Sequence, residues 1–201
     1  MSLLKTVTRW FTDGSQHVFL HADTGNGAPS KVQMDRRTGS LLVVDPVTHE
    51  IHAGNAYKYS DPTTLEAAAS QDYLITTPDT TKLAHLQYSC DGTAITSFFL
   101  YEATDKTGTT AQTIFNADRN STNTATITVH KGTSGGSTDG TLLKSYASGT
   151  ATGSSRSNGT AIFGTERILK RNTKYIFRIT SGTAGNLCNV KFEWAEITDW
   201  A

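Results

Sequence analysis

The sequence predicts an all-β protein: a β-sandwich or jelly roll of about eight strands with an extended N-terminal arm. Three observations lead there. The strongest strand pattern lies at Thr173–Glu196, where Tyr175, Phe177 and Ile179 share one face of a first run and Cys188, Val190, Phe192 and Trp194 share one face of a second. Between residues 64 and 197, strand-like runs recur every 8–15 residues with turn residues between them. Threonine is abundant and helix signals are nearly absent.

Taken in order, residues 1–40 are the least regular part. Leu3, Leu4, Val7, Trp10, Phe11, Val18, Phe19 and Leu20 follow no sustained period, and Gly25–Ser30 is turn-prone. The segment is too apolar for a disordered tail and too unpatterned to build its own core, so it reads as an arm with one or two short strands. Such an arm packs on its own domain or on a neighbouring subunit. Leu41–Val44 is a short apolar run broken by Asp45-Pro46. Glu50–Tyr59 reads as a strand bent at Gly54, and Asp61-Pro62 closes it. The arm with its short strands thus occupies residues 1–60 and the sandwich residues 61–201.

Leu65–Ser70 has the composition of a single helical turn. Strands are expected at Tyr73–Thr76, Leu83–Cys90 and Ile95–Ala103, separated by turns at Thr77–Thr80 and Asp91–Thr93. Ala84, Leu86, Tyr88 and Cys90 share one face of the second of these. In the third, Phe98 and Leu100 alternate with Phe99 and Tyr101, which predicts cover on both faces. Thr104–Thr110 reads as a polar loop, and Thr124–His130 as a threonine-rich strand with Ile127 and Val129 inward. Gly132–Gly140 and Ser148–Gly159 are loops, with a strand at Leu142–Ala147 between them. Ala161–Leu169 and a closing hairpin, turned at Ser181–Asn186, finish the domain.

Composition narrows the function. Eighteen basic and eighteen acidic residues leave no formal net charge. A nucleic-acid binder carries a basic excess or stripe. The nearest approach here, Arg167, Lys170, Arg171, Lys174 and Arg178, reads as a solvated strand edge and turn. Zero net charge suits a chain held in an assembly better than a free monomer. The opening Met1–Trp10 has no apolar core, so no secretion signal is expected, and no run approaches the length of a membrane span. Cys90 and Cys188 are then expected as buried core thiols in a reducing compartment rather than as a disulfide.

Catalytic and ligand motifs are equally sparse. His49 and His52, three apart in an expected strand, point to opposite faces, and His49-Glu-Ile-His52 is one residue short of the zinc-protease motif. Gly132–Gly140 lacks the Gly-Lys-Ser/Thr ending of a phosphate loop. There is no Gly-x-Ser-x-Gly elbow, and no facing carboxylate pair is singled out. No enzymatic activity, metal or cofactor is expected. The aromatics Trp10, Phe11, Tyr57, Tyr59, Tyr101, Trp194 and Trp200 suit a sugar platform or, more simply, core and subunit contacts.

Several motifs occur together: Thr48–Tyr57 with its His-Glu-Ile-His-Ala-Gly core, Asp72–Lys82 with Thr-Pro-Asp-Thr-Thr-Lys, Leu100–Thr104, His130–Thr133, and Asn172–Ile176 with Trp194. Their order, over about residues 45–197, resembles a family of small virion structural proteins of tailed bacteriophages. In that family the His-Glu-Ile-His-x-Gly strand leads into a β-sandwich. The resemblance implies a head decoration (cement) protein, made in the host cytoplasm and located on the capsid surface of the virion. Its implied partners are the major capsid protein and itself, as a homotrimer, with no nucleic acid and no membrane. Trp10, Phe11, His49, Ile51, His52, Tyr57, Tyr59 and Trp200 are the residues expected at the capsid or subunit interface. The alternative is a tail or baseplate component, or a receptor-binding sandwich that recognises host carbohydrate.

Overall fold

The computed structural model describes residues 5–10, 16–23, 29–31, 46–149, 161–162 and 166–198. Within Met1–Pro46, β1 (Lys5–Trp10), β2 (Gln16–Asp23) and β3 (Pro29–Lys31) form a three-stranded antiparallel sheet in the order β1-β2-β3. Val47–Asp199 is a second compact unit. The expected division between residues 60 and 61 falls inside the strand Ala56–Leu65.

A short helix, α1 (Pro46–His52), comes before the sandwich strands β4 (Ala56–Leu65), β5 (Ser70–Thr76), β6 (Lys82–Gly92), β7 (Thr96–Glu102), β8 (Thr107–Ala111) and β9 (Phe115–Asn116). Then follow β10 (Thr128–Ser134), β11 (Thr141–Ser148), β12 (Ala161–Ile162), β13 (Arg167–Leu169), β14 (Lys174–Ser181) and β15 (Asn186–Thr198). One sheet has the order β11-β7-β14-β5-β10-β8 and the other β12-β6-β15-β4-β9, with β13 also on β6. All pairings are antiparallel.

The alternation read from the sequence is the alternation of the core. Tyr175, Phe177 and Ile179 point inward from the first sheet with Tyr73, Ile75, Phe98, Leu100 and Val129. Cys188, Val190, Phe192 and Trp194 meet them from the second with Ala84, Leu86, Tyr88 and Cys90. The rings interlock between the sheets: Phe177 and Phe192 have centroids 4.7 Å apart, Tyr88 lies 5.2 Å from Phe177 and 5.4 Å from Phe98, and Tyr73 meets Phe192 edge-on at 6.0 Å. This is a sandwich built as two inner faces packed on each other. Cys90 and Cys188 are free and buried within it, and burial pushes the Cys90 thiol up to about 12.

Four sequence expectations are corrected. Thr173–Glu196 is not a hairpin. β14 sits between β7 and β5 in one sheet and β15 between β6 and β4 in the other, so the turn after Ser181 is a corner between layers. A hairpin would put both apolar faces on one sheet, whereas the corner lets each cover the other. Asn186 pins this corner. Its Nδ2 donates to Ser181 Oγ, Thr96 Oγ1 and the Ile95 carbonyl, and its Oδ1 accepts from Ala94 N and Thr93 Oγ1.

Second, the segment expected as a strand from Glu50 is helical through His52. Pro46 stands at the helix start, where its missing N–H costs nothing. The end is a Schellman closure: Asn55 N bonds Glu50 O, Gly54 N bonds Ile51 O, and Gly54 has φ 72°. Third, most of Thr104–Thr110, expected as a polar loop, belongs to the edge strand β8 (Thr107–Ala111), because threonine fits a pleated strand whose side chains face water. Fourth, Leu65–Ser70 forms no helical turn: β4 runs through Leu65 and a tight turn leads into β5.

The apolar outer face expected on β7 is covered in part. Phe99 and Tyr101 are half-buried and stack at 6.3 Å, while their neighbours Leu74 and Ile176 are fully buried on the same outer side.

The long connection from β9 to β10 has no strand of its own, and a single carboxylate gathers its last residues. Glu196, 2% exposed, accepts from Thr126 N, Thr126 Oγ1, Ile127 N and Trp194 Nε1 at 2.6–3.1 Å. Each hydrogen bond to a buried charge contributes about 1.5–3 kcal/mol.

Replacing Glu196 with Ala strands two backbone donors and the indole N–H, and is expected to lower stability by roughly 3 kcal/mol or more. A urea titration followed by tryptophan fluorescence measures it. Gly54→Ala puts a methyl in a left-handed residue against Ser121 Oγ. A loss of roughly 1–2 kcal/mol is expected in the same assay.

Candidate functional site

Two surface regions concentrate polar side chains around a depression. The first lies on the outer face of the β11-β7-β14-β5-β10-β8 sheet. Arg178 on β14 donates from Nε and Nη2 to Asp72 at 2.7 and 2.9 Å, and from Nη1 and Nη2 to Asp139 at 2.6 and 3.0 Å. Thr133 Oγ1 donates to Asp72, Lys106 pairs with Asp139, and the guanidinium lies over the Tyr101 ring at 5.5 Å. Next to it is a depression of about 340 Å³ lined by Ser70, Gln71, Asp72, Gly132, Thr133 and Arg178. Every charge in this cluster is already matched. Arg178 and Lys106 hold the Asp139 carboxyl well below the usual range, at about 2, and the two carboxylates raise Arg178 further. The arrangement ties the 134–140 loop to the sheet, and Asp105 does the same for Ser137 and Thr138 by accepting their N–H groups.

The second region lies where the chain crosses from β8 to β9. A groove of about 280 Å³ is lined by Lys58, Tyr59, Ser60, Gln112, Thr113, Phe115 and Lys191. Its geometry follows from three local facts. β9 is only two residues long and pairs with Tyr57 and Lys58, so among the described residues the edge of β4 has no strand partner from Tyr59 onward. Asn116, buried beside it, anchors the crossing: Nδ2 donates to Gly54 O at 2.9 Å and to Asn123 O at 3.2 Å, and Oδ1 accepts from Asp118 N. Gln112 fixes the other wall. Its N–H bonds Val129 O, and its Oε1 accepts from the Tyr59 hydroxyl at 3.2 Å.

The groove is cationic and aromatic. Strand register sets Lys58 opposite both Phe115 and Glu193, and Ser60 opposite Lys191, so all share the outer face. Arg119 lies over the Phe115 ring at 5.2 Å. Glu193 pairs with Lys191 at 2.8 Å across two half-exposed side chains. Of the neighbouring acids, Asp61 accepts from Tyr73 and pairs with Lys131, and Asp118 accepts from Asn120 N. Burial and the nearby Asp61 charge raise the Tyr59 hydroxyl well above its usual value, so it stays protonated as the donor to Gln112.

The residues expected at an interface separate in space. His49 and His52 are exposed on α1 and Ile51 is half-buried. His49 Nδ1 lies 3.1 Å from Glu50 Oε1. Tyr57 and Tyr59 are core residues at 3% and 6% exposure, and the Tyr59 hydroxyl reaches the groove. Trp10 ends β1, while Phe11 and Trp200 lie outside the described residues. The basic run 167–178 is dispersed: Arg167 bonds the Tyr88 hydroxyl, Lys170 pairs with Glu102, Arg171 bonds Thr81 O and Lys174 bonds Lys106 O.

Among the described residues, no three His, Cys, Asp or Glu side chains converge as metal ligands. The groove residues Lys58, Gln112, Phe115 and Lys191 lie on three separate segments. The only signal for them in the sequence is an apolar residue, Phe115, beside polar neighbours in a short strand.

No family model, curated protein or solved structure matches the chain, so the resemblance to phage virion proteins rests on the motifs quoted above.

Asp139 ordinarily titrates near pH 4, and its folded value of about 2 lies below that, so its contribution to stability is present above about pH 4 and lost as pH falls toward 2. Urea midpoints measured at pH 6, 4 and 2.5 are expected to fall over the lower interval, and less steeply in Asp139→Asn.

Proposed function

We propose that this chain is a bacteriophage head decoration (cement) protein. It acts as a homotrimer on the outside of the major capsid shell and stabilises the head. The motif order from Thr48 to Trp194 supports this reading. So does the strand order β11-β7-β14-β5, in which sequence neighbours are separated, as in a jelly-roll wrap rather than a meander.

The observation that carries most weight is β11. This eight-residue strand stands at the edge of its sheet, and Leu142, Leu143 and Tyr146 are 50%, 41% and 40% exposed. A long edge strand with large apolar side chains in water is an aggregation liability for a free protein. It becomes an asset where a shell or a sister subunit covers it. The N-terminal unit supplies a second attachment, and linking two weak contacts raises avidity without one large interface. Trp10, Phe11 and Trp200 are the residues we place at the N-terminal contact, and His49, Ile51 and His52 on α1 at a further capsid or subunit contact.

The tail-associated or receptor-binding alternative is favoured by one feature, the cationic groove beside Phe115.

Co-sedimentation with empty heads tests the primary reading. The full chain is expected to pellet with heads and to raise their resistance to heat. A chain lacking residues 1–40 is expected to keep the sandwich fold by circular dichroism and to stay in the supernatant. Failure of the full chain to bind heads overturns the reading.

A further inference from the structure

The geometry points to the Lys58–Phe115–Lys191 groove as a binding site for an acidic saccharide, a sugar ring carrying a carboxylate. The inference deepens the receptor-binding alternative and rests on it for the choice of sugar.

Charge comes first. Lys58 and Lys191 line the groove, Arg119 lies over Phe115, and no carboxylate lines the groove itself: of the nearby acids, Glu193 flanks Lys191, Asp61 pairs with Lys131, Asp118 accepts from Asn120 N and Asp91 accepts from Asn189 Nδ2. Lys58 makes no ion pair among the described residues, although Glu193 stands opposite it in register. The Lys191–Glu193 pair is half-exposed at both ends, and such surface pairs are weak enough to exchange for a ligand carboxylate. On a chain with no net charge, this local excess is a feature of the site and not of the background.

Shape and polarity come second. Phe115 is 48% exposed at a two-residue edge strand, where nothing in its own sheet lies beyond it. An exposed aromatic ring offers a flat apolar surface to the C–H face of a pyranose. Around it stand the hydroxyls of Ser60 and Thr113, which make no hydrogen bond among the described residues, together with the amide oxygen of Gln112 and the hydroxyl of Tyr59. One apolar face ringed by hydroxyl and amide groups matches a ligand dense in hydroxyls. An acidic peptide would use the cations and leave the hydroxyls idle.

The groove walls are stiff, which limits the entropy lost on binding. Gln112 is held from both ends by Val129 O and the Tyr59 hydroxyl, and Asn116 locks β9 to the Gly54 turn.

The test is an amide-resolved NMR titration of the full chain with oligogalacturonate, oligoglucuronate and oligosialate. The methyl-esterified galacturonate oligomer and a poly-glutamate peptide serve as comparisons. At least one acidic oligosaccharide is expected to shift amides at residues 58–60, 112–115 and 191. Methyl esterification is expected to weaken that binding at least about tenfold, because it removes the charge-assisted contacts while keeping the ring. Added salt weakens it as well. The double variant Lys58→Glu/Lys191→Glu is expected to abolish binding, and Phe115→Ala to weaken it with the fold retained, since all three side chains lie at the surface.

Three results overturn the inference, and they are distinguishable. Equal binding of the esterified oligomer leaves a sugar site but removes the acidic class. Equal or tighter binding of poly-glutamate at the same amides assigns the groove to a peptide. No shift with any saccharide removes the acidic-saccharide inference alone; the receptor-binding alternative then stands or falls on binding of neutral host glycans, and the head-binding reading is untouched.

Discussion

Phe177 packed on Phe192 is the contact around which the rest of the sandwich is arranged. The two rings come from consecutive strands, yet each strand is central in a different sheet. That choice makes the chain turn a corner at Ser181–Asn186, and the corner imposes its own demand. A sharp passage between layers buries backbone groups that no strand partner can reach. Asn186, 1% exposed, answers with five hydrogen bonds to Ser181 and to the 93–96 segment. The aromatic contact and the buried amide are therefore one device, and neither is useful alone.

The same logic recurs wherever the chain leaves a sheet. Glu196 gathers the start of the β10 segment, Asn116 gathers the crossing into β9, and Arg178 gathers the 134–140 loop through Asp139. In each case a charged or amide side chain on a rigid strand satisfies loop backbone or a loop carboxylate. These clusters are matched internally. The groove beside Phe115 differs: its cations outnumber its acids and two of its hydroxyls have no protein partner among the described residues. That imbalance, rather than polarity as such, separates a place for a ligand from a place for a loop.

Much of the sandwich was legible in the sequence. Alternation located the inward faces of β6, β14 and β15 residue by residue, because burial on one side of a strand imposes a period of two. The histidine-rich segment departs from its expected strand for an equally physical reason. His49-Glu-Ile-His52 has no strand or helix period over so short a run, and the helix is set by Pro46 at its start and by Gly54 closing it. β8 is not legible in the sequence, because threonines exposed on an edge strand have the composition of a polar loop.

Composition and periodicity by themselves determined that this protein is all-β and which side chains of β6, β14 and β15 fill its core, since both follow from the spacing of apolar residues along one strand; they did not place Tyr57 and Tyr59 there. Tertiary structure alone decided that β14 and β15 part company into two sheets. It alone gathered Lys58, Gln112, Phe115 and Lys191 into one groove. Those outcomes depend on which strands pair across the chain, and pairing is a contest among distant segments that no local pattern records.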